Sequence, residues 1–249
     1  MEDAARVAGK LLRDAFGKQI SVEEKAPADY VTNIDRESER IISELLGTAY
    51  PDFGFLGEES GKTGADSEWE WMVDPLDGTR NFVRGIPIYA LSIGLARGGR
   101  PVLGAVYDPL RDEMFTGGAG QGARLNGESI QPSAAGGLES CVVAMDFGKN
   151  AGVYERSYEI LGRLMHRFQS LRMTGVMALG IPYVAAGRTD IYFNLKASEW
   201  DIAGGIALAR ESGVVVTDLA GTETPIPLAG LVAAIPAVHA EFIQAISQA

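Results

Sequence analysis

The sequence predicts an α+β protein built in layers. Two amphipathic helical patterns open the chain, and short strands joined by tight turns fill residues 88 to about 125. The rest alternates strands with helices, so helices and an extensive antiparallel sheet must share one core. The chain of 249 residues, 46% of them hydrophobic, can bury a large core. No repeat or low-complexity linker interrupts it. It reads as an N-terminal half, 1–135, and a C-terminal half, 136–249, sharing an interface as one compact unit.

Residues 2–16 carry Ala4, Val7, Ala8, Leu11, Leu12 and Ala15 at helical spacing, and Gly17 ends that helix. A charged segment with Glu23, Glu24, Lys25 and Pro27 follows. Thr32 can then N-cap a second helix, with Asp35 in the acidic position of a capping box. Ile34, Ile41, Ile42, Leu45 and Leu46 form its apolar face, and Pro51 lies beyond its end. Phe53 to Leu56 is a short strand running into Gly57-Glu58-Glu59-Ser60. A Gly- and Ser-containing loop separates it from a second strand, Trp69 to Val73. Ile88 to Ala96 and Val102 to Tyr107 flank Gly98-Gly99, a hairpin signal. Asp108-Pro109 turns the chain into a strand at Glu113 to Thr116, and Asn126-Gly127 makes another tight turn. In the second half, strands are expected at 141–145, 191–193, 214–217 and 231–235. Helices are expected at 153–168, 175–186, from Trp200-Asp201 to Ala209, and at 237–248.

Composition narrows the chemistry. A net charge of −11 argues against a nucleic-acid surface, which needs a basic footprint. The lone Cys141 lies in an apolar run, as a buried, reduced thiol of a cytoplasmic protein would. Glu2, Asp3, Arg6 and Lys10 leave no signal-peptide core, and the apolar stretch 228–238 is short and holds Pro236, so no membrane partner is expected. His166 and His239 are the only histidines, and both sit in helical patterns. A histidine-based nucleophile and a Cys/His zinc site are therefore poorly supported. Gly118-Ala119-Gly120-Gln121-Gly122-Ala123 matches a dinucleotide pattern in letters, but a tight turn follows where a helix is required.

Carboxylates remain, and they suit hard divalent cations. The run Trp71-Met72-Val73 stops abruptly in Asp74-Pro75-Leu76-Asp77-Gly78-Thr79. Two acids there adjoin a helix start whose free N–H groups can hold an anion. Glu58-Glu59 ends the preceding strand in the same way, where α/β sheets collect ligands, although alone it could be a solvated loop. Asp201 stands in the first turn of a helix rich in Ala and Gly, where a helix-dipole role would also account for it. If these acids adjoin, their charges call for protons or a cation between them. Aspartyl-nucleophile phosphatases place one residue between their two aspartates. Here Pro75 and Leu76 both intervene, which argues against an attacking aspartate.

Gly57-Glu58-Glu59, Asp74 to Phe82 and Trp200-Asp201, in that order, resemble the inositol monophosphatase family, and Asp29 to Asp35 is similar to its N-terminal segment. The resemblance implies an α-β-α-β-α sandwich, like that of fructose-1,6-bisphosphatase, usually as a homodimer. It implies Mg²⁺-dependent, lithium-sensitive hydrolysis of a phosphate monoester by in-line attack of metal-activated water. Two or three Mg²⁺ ions, replaceable by Mn²⁺, would be held by Glu58, Asp74, Asp77, Asp201 and the Leu76 carbonyl. Thr79 and Asp35 would activate the water, with Glu59 helping through an outer-shell water. Gly78 and Thr79 N–H groups would hold the phosphate. Lys25 sits one residue nearer Asp35 than the family's matching lysine often does. Asp77, Arg80, Gly175, Val176, Met177, Asn194 and Asp201 would meet the substrate, a small phosphorylated polyol or sugar. Asn194 stands where a glutamate often binds inositol, and Met177 is bulkier than the common alanine. Inositol 1-phosphate is favoured, with fructose 1,6-bisphosphate next, then histidinol phosphate or 3′-phosphoadenosine phosphates. Some bacterial members also bind the transcription machinery, which keeps a protein-partner role open.

Overall fold

Capping and apolar spacing set the first two helices. The structure, a computed structural model, describes residues 1–26, 29–147 and 151–248; Pro27 lies outside them. Helix α1 (Glu2–Ala15) buries Ala4, Ala5, Ala8 and Leu12 on one face. A small hairpin of β1 (Val22–Ala26) and β2 (Asp29–Thr32) occupies the charged segment, with β1 exposed and Val31 and Thr32 of β2 buried. Helix α2 (Asn33–Ala49) starts at Thr32 with the full capping box, Asp35 returning to the Thr32 N–H at 3.0 Å.

The first sheet follows. Its strands are β3 (Gly54–Gly57), β4 (Gly61–Gly64) and β5 (Trp69–Asp77), then β6 (Ala90–Arg97) after the short helix α3 (Thr79–Arg84). β7 (Arg100–Asp108), β8 (Glu113–Gly118), β9 (Gly122–Leu125) and β10 (Glu128–Ser129) complete it as a meander. The order is β10-β9-β8-β7-β6-β5-β3-β4. β3 and β5 are parallel neighbours, and the loop expected after Ser60 is instead the antiparallel edge strand β4.

The second sheet is built from β11 (Val142–Met145), β12 (Ser170–Arg172), β13 (Ile191–Asn194), β14 (Val215–Asp218) and β15 (Leu231–Ala234), in the order β12-β11-β13-β15-β14. Helix α4 (Ala151–Leu164) precedes β12, α5 (Met177–Ala185) precedes β13, α6 (Glu199–Ser212) precedes β14, and α7 (Pro236–Ser247) closes the chain. Residues 165–167, expected in α4, form a 3₁₀ turn instead.

α1 and α2 pack on the first sheet, α5 and α6 lie between the sheets, and α7 with α4 covers the second. The layering is therefore α-β-α-β-α. The central helix fits because both surfaces are nearly bare of side chains. A Cβ on Gly104 of β7 would stand 2.0 Å from the Gly204 carbonyl oxygen of α6. That approach seats the N-terminal turn of α6 beside the carboxyl ends of β3 and β5. Cys141 is buried, and burial pushes its thiol up to about 12. Among the described residues, no helix is long and apolar enough to cross a membrane.

Candidate active site

Two parallel strands and one bulge assemble the acids. Gly57 pairs with Val73, and Glu58 N–H donates to the Val73 carbonyl at 3.1 Å, which sets Glu58 beside Asp74. On β5, Asp74 pairs with Ser92 and Asp77 with Ala90, so the segment through Pro75 and Leu76 holds one residue more than β6 opposite it. In a regular strand, residues three apart face opposite sides. The bulge cancels that half-turn and brings both aspartates to one face, and a bulge is also where a strand tolerates proline.

Gly78 follows at φ +89, and a Cβ there would meet Val176 Cγ2 at 2.8 Å. This left-handed step starts α3 at Thr79. Thr79 Oγ1 lies 3.0 Å from both Asp35 Oδ1 and the Leu76 carbonyl oxygen, and its single proton can go to only one of them. The other Asp35 oxygen is held by the Thr32 N–H and hydroxyl. Burial raises the Asp35 carboxyl to about 6, against the pull of these hydrogen bonds.

Glu39, which the sequence reading passed over, is 4% exposed and accepts the N–H groups of Glu59 and Ser60 at 2.9 and 2.8 Å. It clamps the turn that presents Glu58. Gly57 is small because Glu39 Oε2 would stand 2.4 Å from a Cβ there. Lys25 Nζ binds Glu59 Oε1 at 2.6 Å, so that lysine does reach the site.

From the second half, α6 contributes Asp201. Its Oδ2 accepts the Ser198 N–H at 2.8 Å in a second capping box. Ala178 N–H donates to Asp77 Oδ2, tying the start of α5 to the bulge.

One cavity of 710 Å³ collects these groups. Glu58, Asp74, Leu76, Asp77 and Asp201 line it, with Gly78, Thr79 and Arg80 beside them and Gly175 and Met177 opposite. Asp74 is 2% exposed, and its carboxyl is pushed well up by burial first, then by the charges of Glu58, Asp77 and Asp201. Among the described residues no three acids close round a single point as a metal cage. A carboxylate wall of this kind still fits Mg²⁺, which keeps several waters and takes one or two carboxylates plus substrate phosphate. The buried Asp74 amid three further acids is the observation that calls for a cation.

The fold sets two of the expected substrate residues off the cavity wall. Val176 and Asn194 do not line the cavity. Val176 turns inward against Gly78, and Asn194 is fully enclosed, its Nδ2 3.5 Å from Tyr192 Oη. Asp35 and Glu59 likewise lie behind the wall, bonded to Thr79 and Lys25, which line it. The lining also includes residues the sequence reading did not select, among them Asn81, Asp146, Phe147 and Lys196. Asp146 carried a readable signal. Like Glu58, it directly follows an apolar parallel strand at its carboxyl end.

The whole chain, residues 1–249, matches the model of the inositol monophosphatase family. The chain belongs to that family. It is 39% identical over 239 residues to the Nus factor SuhB of Escherichia coli K12, covering 94% of this chain and 90% of that one. It is 37% identical over 254 residues to an inositol monophosphatase of Mesembryanthemum crystallinum, covering 99% and 94%. The solved extragenic suppressor protein suhB of Bartonella henselae superposes with a TM-score of 0.95 at 39% identity, over 100% of this chain and 97% of that one. As an inositol monophosphatase family member, the chain has the layered architecture of its relatives.

Proposed function

We propose that this family member is a Mg²⁺-dependent phosphate monoester hydrolase, with inositol 1-phosphate as its favoured substrate. The observation that carries the reading is the Thr79–Asp35 pair, set 3.0 Å apart at the foot of a carboxylate-lined cavity. Glu58, Asp74, Asp77, Asp201 and the Leu76 carbonyl would hold two or three Mg²⁺. When bound, these ions would acidify the attacking water and offset charge on the phosphoryl and leaving oxygens.

The chain's own groups supply the rest. Thr79 Oγ1 donates its proton to Asp35 Oδ1, which leaves the hydroxyl oxygen ready to accept a hydrogen bond from water. With a carboxyl near 6, Asp35 is ionised at neutral pH and basic enough to draw that proton. Gly78 and Thr79 offer backbone N–H groups at the start of α3 for the phosphate. Water is thus the nucleophile, and no residue becomes phosphorylated.

The reading is tested by phosphate release from inositol 1-phosphate, fructose 1,6-bisphosphate, histidinol phosphate and 3′-phosphoadenosine phosphates, with Mg²⁺ and with added Li⁺. Release from inositol 1-phosphate that Li⁺ suppresses is expected. No release from any monoester refutes the enzyme reading.

A second reading rests on the relative that carries the name Nus factor. A protein-partner role would survive Asp77→Asn, which is expected to abolish Mg²⁺-dependent release. Sedimentation of the purified protein tests the homodimer that the family resemblance implies.

A further inference from the structure

β11 ends as β3 and β5 do, in a carboxylate at the edge of the cavity, yet the reaction proposed above does not use Asp146. The residue is 6% exposed and still lines the cavity. Its Oδ1 accepts the Gly175 N–H at 2.6 Å, and its Oδ2 faces the Tyr192 hydroxyl at 3.4 Å. Met145 pairs with Phe193, so Asp146 follows at the level of Asn194 on the adjoining parallel strand. Asn194 Nδ2 lies 3.5 Å from Tyr192 Oη, while Asn194 Oδ1 is enclosed with no hydrogen-bond partner among the described residues. The chain from Asn194 through Tyr192 therefore points donors at Asp146 and leaves it an acceptor.

We propose that Asp146 is a specificity-determining residue whose carboxylate accepts a hydrogen bond from a hydroxyl group of the departing alcohol, so that the cavity selects phosphorylated polyols and sugars. This rests on the phosphate monoesterase reading. A carboxylate offers about four lone-pair sites, and neutral donors, the Gly175 and Thr174 N–H groups and the Tyr192 hydroxyl, occupy three of them, the hydroxyl at long range, which leaves one open. A buried carboxylate held by neutral donors remains a strong acceptor, because a charged acceptor binds a hydroxyl about twice as well as a neutral one. The same charge repels phosphate. Asp146 stands across the 174–178 turn from Asp77, since the turn is tied to Asp146 at Gly175 and to Asp77 at Ala178. An ester entering the cavity is thus sorted end from end, with phosphate towards Asp77 and Thr79 and hydroxyls towards Asp146. Asn194 contributes by fixing Tyr192, in place of the direct substrate contact expected from sequence.

Asp146 could instead serve only as a latch for the Gly175 turn. A latch would affect every ester alike, whereas hydroxyl recognition affects only esters that carry hydroxyls. The test compares kcat and KM of wild type and Asp146→Asn on inositol 1-phosphate and on 4-nitrophenyl phosphate. The amide keeps an acceptor for the Gly175 N–H. The ratio of kcat/KM between the two esters should fall by about 10- to 100-fold, mainly through KM, as for loss of one hydrogen bond to a charged acceptor. An equal loss on both esters, or an unchanged ratio, overturns the proposal. If the amide variant does not fold, Asp146→Glu keeps the charge but crowds the alcohol and must lower the same ratio.

Saturation-transfer NMR of myo-inositol, with Mg²⁺ and inorganic phosphate present, reads binding without turnover. Wild type should show transfer and Asp146→Asn should not. Equal transfer, or none in wild type, overturns the assignment even if no ester is hydrolysed. Absent hydrolysis with intact, Asp146-dependent transfer would refute only the phosphatase reading.

Discussion

Replacing Asp35 by asparagine separates its proposed catalytic use from its structural use. The structure gives Asp35 two tasks on two oxygens, the α2 cap on Oδ2 and the Thr79 hydroxyl on Oδ1. An asparagine can keep its carbonyl oxygen on the cap, where Thr32 donates. Its amide nitrogen then faces Thr79 Oγ1 and cannot take a proton, so the hydroxyl is left with the Leu76 carbonyl. Losing a positioned base costs about 10²- to 10⁴-fold in rate. Stability should move the other way. The rise of the Asp35 carboxyl from 3.8 to about 6 on folding corresponds to about 3 kcal/mol. Because the folded value is the higher one, folding favours the protonated acid. The associated stability is fully present below about pH 4 and is lost as pH rises through about 6. Asp35→Asn never meets that loss. In urea unfolding with EDTA, the variant should gain on wild type between pH 4 and pH 7 by about 2–3 kcal/mol. Steady-state phosphate release supplies the rate. A variant that keeps more than a tenth of wild-type kcat, or whose stability tracks wild type across that pH range, refutes the assignment of Asp35 as a buried base behind Thr79.

Glu39→Gln should weaken Mg²⁺ binding measured by calorimetry, because one of the N–H groups presenting the Glu58 turn would face an amide NH₂. The loss of stability should be about 1–3 kcal/mol, the cost of a buried donor left unpaired. Gly104→Ala should destabilise by more than about 3 kcal/mol, since its methyl would stand 2.0 Å from a backbone oxygen that cannot move without α6. Thermal unfolding checks it, and a normal melting temperature would mean that α6 does not sit against β7 as described. Cys141 should react with a thiol reagent only as fast as the protein unfolds, because it is enclosed and its thiol is held protonated.

Local chemistry was legible wherever neighbours in sequence decide it. Thr32 with Asp35, three residues apart, predicted the start of α2 and its capping box because both partners lie within one helical turn. Asp74 to Thr79 predicted a strand, a turn and a helix start, because proline, aspartate and a glycine at positive φ act on their own backbone. The acids to examine, Glu58, Asp74, Asp77 and Asp201, could be chosen before any fold was known. The strand at Glu23 to Lys25 gave no signal in the sequence, since an exposed edge carries no alternation of apolar residues to announce it.

Tertiary structure decided what those residues meet. The bulge that turns Asp74 and Asp77 to one face depends on β6, a partner not visible in the motif itself. Glu39 reaches the Glu58 turn across 20 residues, and its helical pattern gives no hint of that use. Val176 and Asn194 lie in segments that border the cavity, but one packs against the glycine at the α3 start and the other is walled in behind Tyr192. Sequence alone thus determined which groups could hold charge and where the backbone turns, because those follow from short-range sterics and hydrogen bonding. Only the packed layers decided which of those groups share one cavity, because burial and long-range pairing set which way each side chain faces.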